Sequence, residues 1–237
     1  MVPAKRFWVC SACGQTDDGA NAGMSAGPSS SAGPHPCRNL WCAAPGRPLE
    51  AVFAVGNYEG AFRKAIVAYK YGWDLRWART FGGLLHTFVA HHATWFEEYA
   101  VICPVPSFMG PAARRPWGHV ELICSEMSRR AGGSWPVESL VAKVSETQPM
   151  NAQAGPARRE LARRSLRDAF SVTGPGAVAG RRILLVDDVC ATGWTLLTVA
   201  RALRRSGADE VAALVLARAR WRPRRRAVPG GSSAVMS

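Results

Sequence analysis

Ile183-Leu184-Leu185-Val186-Asp187-Asp188-Val189-Cys190-Ala191-Thr192-Gly193-Trp194-Thr195 decides how the rest of the chain is read. Four consecutive apolar residues, Ile183 to Val186, predict a strand buried on both faces, as in a parallel sheet. The run stops at two carboxylates, and a short loop of small residues follows. A helix is expected from near Thr195, with Leu196, Val199, Ala200 and Leu203 on one face and Arg201, Arg204 and Arg205 elsewhere. A loop entering a helix offers unpaired backbone N–H groups and the positive end of the helix dipole, so Ala191 to Thr195 suits a phosphate. Ala191 and Gly193 let the backbone come close, Thr192 and Thr195 add hydroxyls, and Trp194 lies between them. Ionised Asp187 and Asp188 are acceptors suited to two ribose hydroxyls or to Mg²⁺ through water. Ligands of open α/β sheets bind at the carboxyl ends of strands, where this pair stands. The plainer alternative is a buried strand whose Asp188 or Thr192 caps the helix.

Working outward, 237 residues suffice for one α/β domain and a small module. No run of 18 apolar residues occurs, so no membrane span is expected. Residues 1–10 lack the apolar core of a signal peptide, and a cytoplasmic location is expected. Seven cysteines in that setting argue for metal or free thiols over disulfides. Cys10-Ser-Ala-Cys13 has knuckle spacing, and Cys37 and Cys42 follow after a Gly/Ser/Pro-rich insertion. Four thiolates suit one structural Zn²⁺, with His35 as a substitute ligand and four metal-free thiols as the alternative. Residues 1–48 are therefore expected to form a separate zinc-binding module.

From Leu49 the pattern becomes regular. Ala51 to Tyr58 predicts a strand, and Ala61 to Lys70 a helix closed by Tyr69-Lys70-Tyr71-Gly72. Leu75 to His92 predicts a long amphipathic helix interrupted at Gly82-Gly83. Ala100 to Val105 predicts a second apolar strand, stiffened at its end by Pro104-Val105-Pro106-Ser107. Arg114 and Arg115 follow, then a helix from about Trp117 to Arg130. Trp135 to Val144 reads as a strand or hairpin piece, Ser145 to Gly155 as a mobile covering loop, and Ala157 to Leu166 as a helix. Ala169 to Thr173 and Val211 to Ala217 predict two more strands. Cys103 and Cys124 are expected as buried small hydrophobes, and Cys190, beside a helix start, as a thiol open to acidification.

The central stretch resembles the signature of type I phosphoribosyltransferases, which bind 5-phosphoribosyl 1-pyrophosphate (PRPP). The resemblance implies that Asp187 and Asp188 contact the ribose and that Ala191, Thr192, Gly193, Trp194 and Thr195 hold its 5′-phosphate. The stretch Val105, Pro106 and Ser107, with Arg114 and Arg115, resembles the pyrophosphate loop, and a guanidinium fork suits pyrophosphate oxygens. The order of motifs narrows the resemblance to the ComF family, including ComFC. It runs from the four cysteines through Tyr-Lys-Tyr-Gly, Cys-Pro-Val-Pro and Arg-Pro-Trp-Gly-His-Val-Glu-Leu to Asp-Asp-Val-Cys-Ala-Thr-Gly-Trp-Thr. Those are phosphoribosyltransferase-like proteins linked to DNA uptake in competent bacteria. The chain departs at Arg115-Pro116-Trp117-Gly118-His119, where the family commonly has Arg-Gly-Phe-Asn-Gln, and at Ser165, where it has Asn.

The resulting expectation is an α/β fold, a type I phosphoribosyltransferase-like, mostly parallel sheet flanked by helices, over residues 49–217. The small zinc module precedes it, and a disordered basic tail over 218–237 follows. That tail holds six arginines and no acid, and the whole chain carries a formal charge of +13, which suits phosphate-rich partners. Two functions are open. One is transfer of a phosphoribosyl group from PRPP, with Mg²⁺, to an acceptor the sequence does not identify. No residue is marked as a base. The other is a non-catalytic adaptor that binds a phosphorylated nucleotide, single- or double-stranded DNA, or competence proteins.

Overall fold

The computed structural model describes residues 8–9, 16–17, 46–72, 74–111, 117–147 and 156–219. The four cysteines proposed for zinc, Arg114 and Arg115, residues 148–155 of the expected covering loop and residues 220–237 of the tail lie outside them. The strands are β1 (Trp8–Val9), β2 (Thr16–Asp17), β3 (Val52–Asn57), β4 (Val101–Pro104), β5 (Val141–Lys143), β6 (Phe170–Val172), β7 (Arg182–Cys190) and β8 (Glu210–Arg218). The helices are α1 (Gly60–Tyr71), α2 (Arg76–His91), α3 (His119–Arg130), α4 (Pro156–Arg167) and α5 (Trp194–Arg205).

The core sheet has the order β3-β8-β7-β4, and every pairing in it is parallel. β1 pairs with β2, and β5 with β6, in antiparallel ribbons. β7 and β8 occupy the centre, so both their faces must be apolar. Ile183 to Val186 are fully buried, as are Ala212 to Ala217. Side chains alternate between the two faces of a strand. Leu184, Val186, Leu214 and Leu216 pack with Ile66 of α1, Phe81 and Leu85 of α2, and Ile123 and Met127 of α3. Ile183, Leu185, Ala213 and Val215 pack with Leu196, Val199 and Leu203 of α5, Leu166 of α4 and Val141 and Phe170 of the β5–β6 ribbon. Each fully buried Leu, Ile or Val contributes about 1.5–3 kcal/mol.

Three expectations need correction. β7 does not stop at Val186. It runs through both aspartates because β8 is equally long and keeps the ladder going, with Asp187 opposite Val215 and Cys190 opposite Arg218. α2 is not interrupted at Gly82-Gly83. A Cβ on Gly82 would lie 2.5 Å from the Glu126 Cβ and 2.9 Å from backbone atoms of Ile123 and Met127. The glycine therefore permits close α2–α3 packing and breaks no helix. Arg218, expected to open the tail, is instead the last residue of β8 and only 2% exposed. Among the described residues, no helix is long and apolar enough to cross a membrane.

Candidate functional site

β4 ends opposite Val186 of β7, so the loop after β4 lies beside the acidic pair at the carboxyl edge of the sheet. The ladder extends one residue past β4, where the Val105 N–H donates to the Val186 carbonyl at 2.8 Å. A cavity of about 310 Å³ opens at this edge. Asp187, Asp188 and Thr195 line it from the β7 side, and Val105, Pro106, Ser107 and Phe108 from the β4 side. Lys70, Tyr71, His119, Lys143, Glu146 and Thr147 complete the wall. Of the candidate site residues, Asp187, Asp188 and Thr195 thus share one cavity with Val105, Pro106 and Ser107, whereas Ala191, Thr192, Gly193 and Trp194 do not line it.

Alternation along β7 divides the acidic pair. Asp188 shares the face of Leu184 and Val186 and points toward α1 and α3. Its Oδ2 lies 2.7 Å from the Lys70 Nζ and 2.7 Å from the His119 Nε2. Burial alone would raise its pKa. The Lys70 charge and the His119 contact overcome that and hold the carboxyl well below its ordinary range. Lys70 responds in kind: burial opposes its charge, but Asp188 and Asp187 raise its pKa. Asp187 is half-buried on the other face, and its Oδ1 accepts the Asp188 backbone N–H at 2.8 Å. Burial, then the Asp188 charge, hold the Asp187 carboxyl well above the ordinary range.

His119 extends the arrangement. Its Nδ1 lies 3.1 Å from the Ser107 Oγ, and its backbone carbonyl accepts the Tyr69 hydroxyl at 2.6 Å. An ionised Asp188 only accepts, so Nε2 carries the proton. In a neutral imidazole Nδ1 then accepts from Ser107. Lys143 of β5 approaches from the opposite face. Its pKa is lowered by burial, against the pull of Glu146 and Asp187.

The candidate phosphate loop enters α5 through Gly193, whose φ of 81° lies in the left-handed region that favours glycine. Ala191 and Thr192 are exposed, Gly193 is buried, and Trp194 packs partly on the core. Arg218 fixes this loop from behind. Its guanidinium donates to the Cys190 carbonyl at 2.6 Å and to the Ala191 carbonyl. At the start of α5 the Trp194 N–H faces the Thr192 Oγ1 at 3.5 Å. Cys190 is not an acidified thiol: burial pushes its pKa up to about 11. Cys103 and Cys124 are fully buried, as expected.

Sequence reasoning missed Lys70, His119, Lys143 and Arg218. In the sequence Tyr69-Lys70-Tyr71-Gly72 reads as a helix end and a family motif, and His119 as a departure from the family pattern. Neither signal tied them to the acidic pair.

Residues 129–229 match the phosphoribosyl transferase domain family. The chain is 32% identical over 135 residues to the DNA utilization protein YhgH of Escherichia coli O157:H7, covering 57% of this chain and 56% of that protein. It is 28% identical over 172 residues to competence protein F of Haemophilus influenzae, covering 70% and 71% of the two chains. The chain is thus similar to DNA utilization and competence proteins of the ComF type, and its C-terminal half carries the phosphoribosyl transferase domain match. A shorter stretch of 37 residues is 60% identical to adenine phosphoribosyltransferase of Mycobacterium avium, covering 16% of this chain and 21% of that one. The match to YhgH spans just over half of that relative's length. These similarities accord with the parallel sheet and with a cavity at its carboxyl edge.

Proposed function

We propose that the cavity binds PRPP and that the chain transfers its phosphoribosyl group to an acceptor, releasing pyrophosphate. The observation that supports this best is the convergence of Asp187, the Val105–Ser107 loop and Thr195 on one cavity at the carboxyl edge of a parallel sheet. In this reading the N-terminus of α5 takes the 5′-phosphate, and Asp187 accepts from the ribose hydroxyls. The backbone after β4, with Arg114 and Arg115, takes the pyrophosphate. These groups act by holding reactants in line and stabilising charge on the leaving group. Asp187 lines the cavity and would hold Mg²⁺ as a carboxylate, the cation's charge offsetting the burial and the Asp188 charge that raise its pKa, whereas the Asp188 Oδ2 is already held by Lys70 and His119. Bound Mg²⁺ would supply neutralisation of pyrophosphate charge. Titration calorimetry with PRPP and Mg²⁺, followed by a pyrophosphate-release screen across bases and amines, tests the proposal. Binding with acceptor-dependent release is the expected result, and no binding removes it.

A second reading is favoured by the names of the relatives and by the charge of +13: a nucleotide- or DNA-binding adaptor in DNA uptake. DNA affinity that falls steeply with salt would support it. Deleting residues 220–237 should then flatten that slope and leave the melting temperature nearly unchanged; an unchanged slope would remove the tail from the reading. Cys10, Cys13, Cys37 and Cys42 are proposed to hold one structural Zn²⁺ on their spacing. Elemental analysis of chelator-free protein is expected to find one zinc per chain, and none would refute it.

A further inference from the structure

We infer that His119 is a positioning residue that joins the two halves of the ligand site into one. This rests on the proposed PRPP reading and adds a residue that the reading did not use. Ser107 belongs to the loop after β4, and Asp188 to β7. The imidazole lies between them, 3.1 Å from the Ser107 Oγ and 2.7 Å from the Asp188 Oδ2. It is 6% exposed, so neither contact is easily replaced by water. Being planar, the ring fixes the spacing of its two nitrogens and hence that of serine and carboxylate.

The ring is itself held. His119 is the first residue of α3, whose N-cap, Gly118, makes no side-chain cap. Tyr69 reaches from α1 to the His119 carbonyl at 2.6 Å, and the adjacent Lys70 pairs with the same carboxylate oxygen that the imidazole contacts. Two consecutive residues of α1 thus anchor the histidine and its acceptor. That gives Tyr69-Lys70 a role its sequence position did not suggest. The loop after β4 is also held at its start by the Val105 N–H to Val186 carbonyl bond and by its prolines. Among the described residues, the imidazole is what ties that serine to the acidic pair.

A ligand that touches both loops at once meets them already aligned and loses less freedom on binding. A ligand that touches one loop gains nothing from the bridge. His119 should therefore matter for PRPP and far less for ribose 5-phosphate, which lacks the pyrophosphate.

The test uses full-length parent, His119→Leu, His119→Gln and Ser107→Ala, each measured for hydrogen exchange without ligand and for binding of Mg²⁺·PRPP and ribose 5-phosphate. Gln carries an amide donor and a carbonyl acceptor and can span both contacts. His119→Leu is expected to speed exchange at 105–111 and weaken PRPP about tenfold or more, with ribose 5-phosphate changed under threefold. His119→Gln should restore most of both, and Ser107→Ala, which leaves the core untouched, should show a smaller change in the same direction. The inference is overturned if His119→Leu matches the parent, if it weakens both ligands equally, or if Gln rescues nothing. If the parent itself does not bind PRPP, the proposed function fails. Exchange at 105–111 then still decides whether the bridge exists.

Discussion

Asp187 and Asp188 are adjacent in the chain and live on opposite faces of the same strand. Asp188 faces α1 and α3, is 2% exposed, and shares one oxygen between an ammonium and an imidazole. Asp187 faces the α5 side, half-buried, with a backbone N–H as its hydrogen-bond partner. A motif that names both as equivalent ligand contacts hides this division. Both line the cavity, but the strand's period of two separates Asp188, anchored by Lys70 and His119, from Asp187, which the proposed site uses as its acceptor.

The largest effect that could break this comparison is on stability. Asp188→Asn leaves Lys70 and His119 around a neutral amide. Breaking a buried pair costs about 3–5 kcal/mol, and the partial exposure of Lys70 puts the expected loss nearer 2–4 kcal/mol. A denaturant titration showing no loss would make Asp188 a second free ligand contact.

The pH dependence sharpens the contrast. The Asp188 pKa is depressed, so its contribution is present above the unfolded value of about 3.9 and is lost as pH falls through the folded value. The Asp187 pKa is raised, so its contribution is present below the unfolded value and is lost as pH rises through the folded one. At pH 7, Asp187→Asn should therefore melt at or above the parent temperature and Asp188→Asn below it. In strong acid the gap between Asp188→Asn and the parent should close. Melting curves across pH in which the two variants move together would contradict the division.

A smaller effect separates the site from its scaffold. Gly82→Ala places a methyl against the α3 backbone, and overpacking of this kind costs about 1–3 kcal/mol. Better helix propensity returns up to about 1 kcal/mol. The melting temperature should fall modestly while ligand affinity per folded molecule stays unchanged. A rise would mean the α2–α3 contact relaxes at no cost.

Legibility follows the same division. The β7 limb could be read because strand, acids, loop and helix are contiguous, and each has a local physical signature. The mate of that limb could be read only in part. Val105 to Ser107 announced themselves through prolines, but Lys70 and His119 reach Asp188 from 118 and 69 positions away by way of tertiary packing. The length of β7 departs from its sequence reading for a related reason. Two aspartates end a hydrophobic run, yet a ladder ends only where its partner does, and β8 continues to Arg218. Gly82 reads as a helix break in the sequence because helix propensity is local, whereas the close approach of α3 is not.

The central claim is that Asp187 is the ligand-facing member of the pair in a PRPP site. Titration of Mg²⁺·PRPP into parent and Asp187→Asn protein at pH 7 tests it most directly. The account predicts saturable binding by the parent. It predicts a loss of about tenfold to hundredfold in the variant, the worth of a charged hydrogen bond of about 1.5–3 kcal/mol, without loss of melting temperature. Equal affinity in the two proteins, or no binding by the parent, would contradict it.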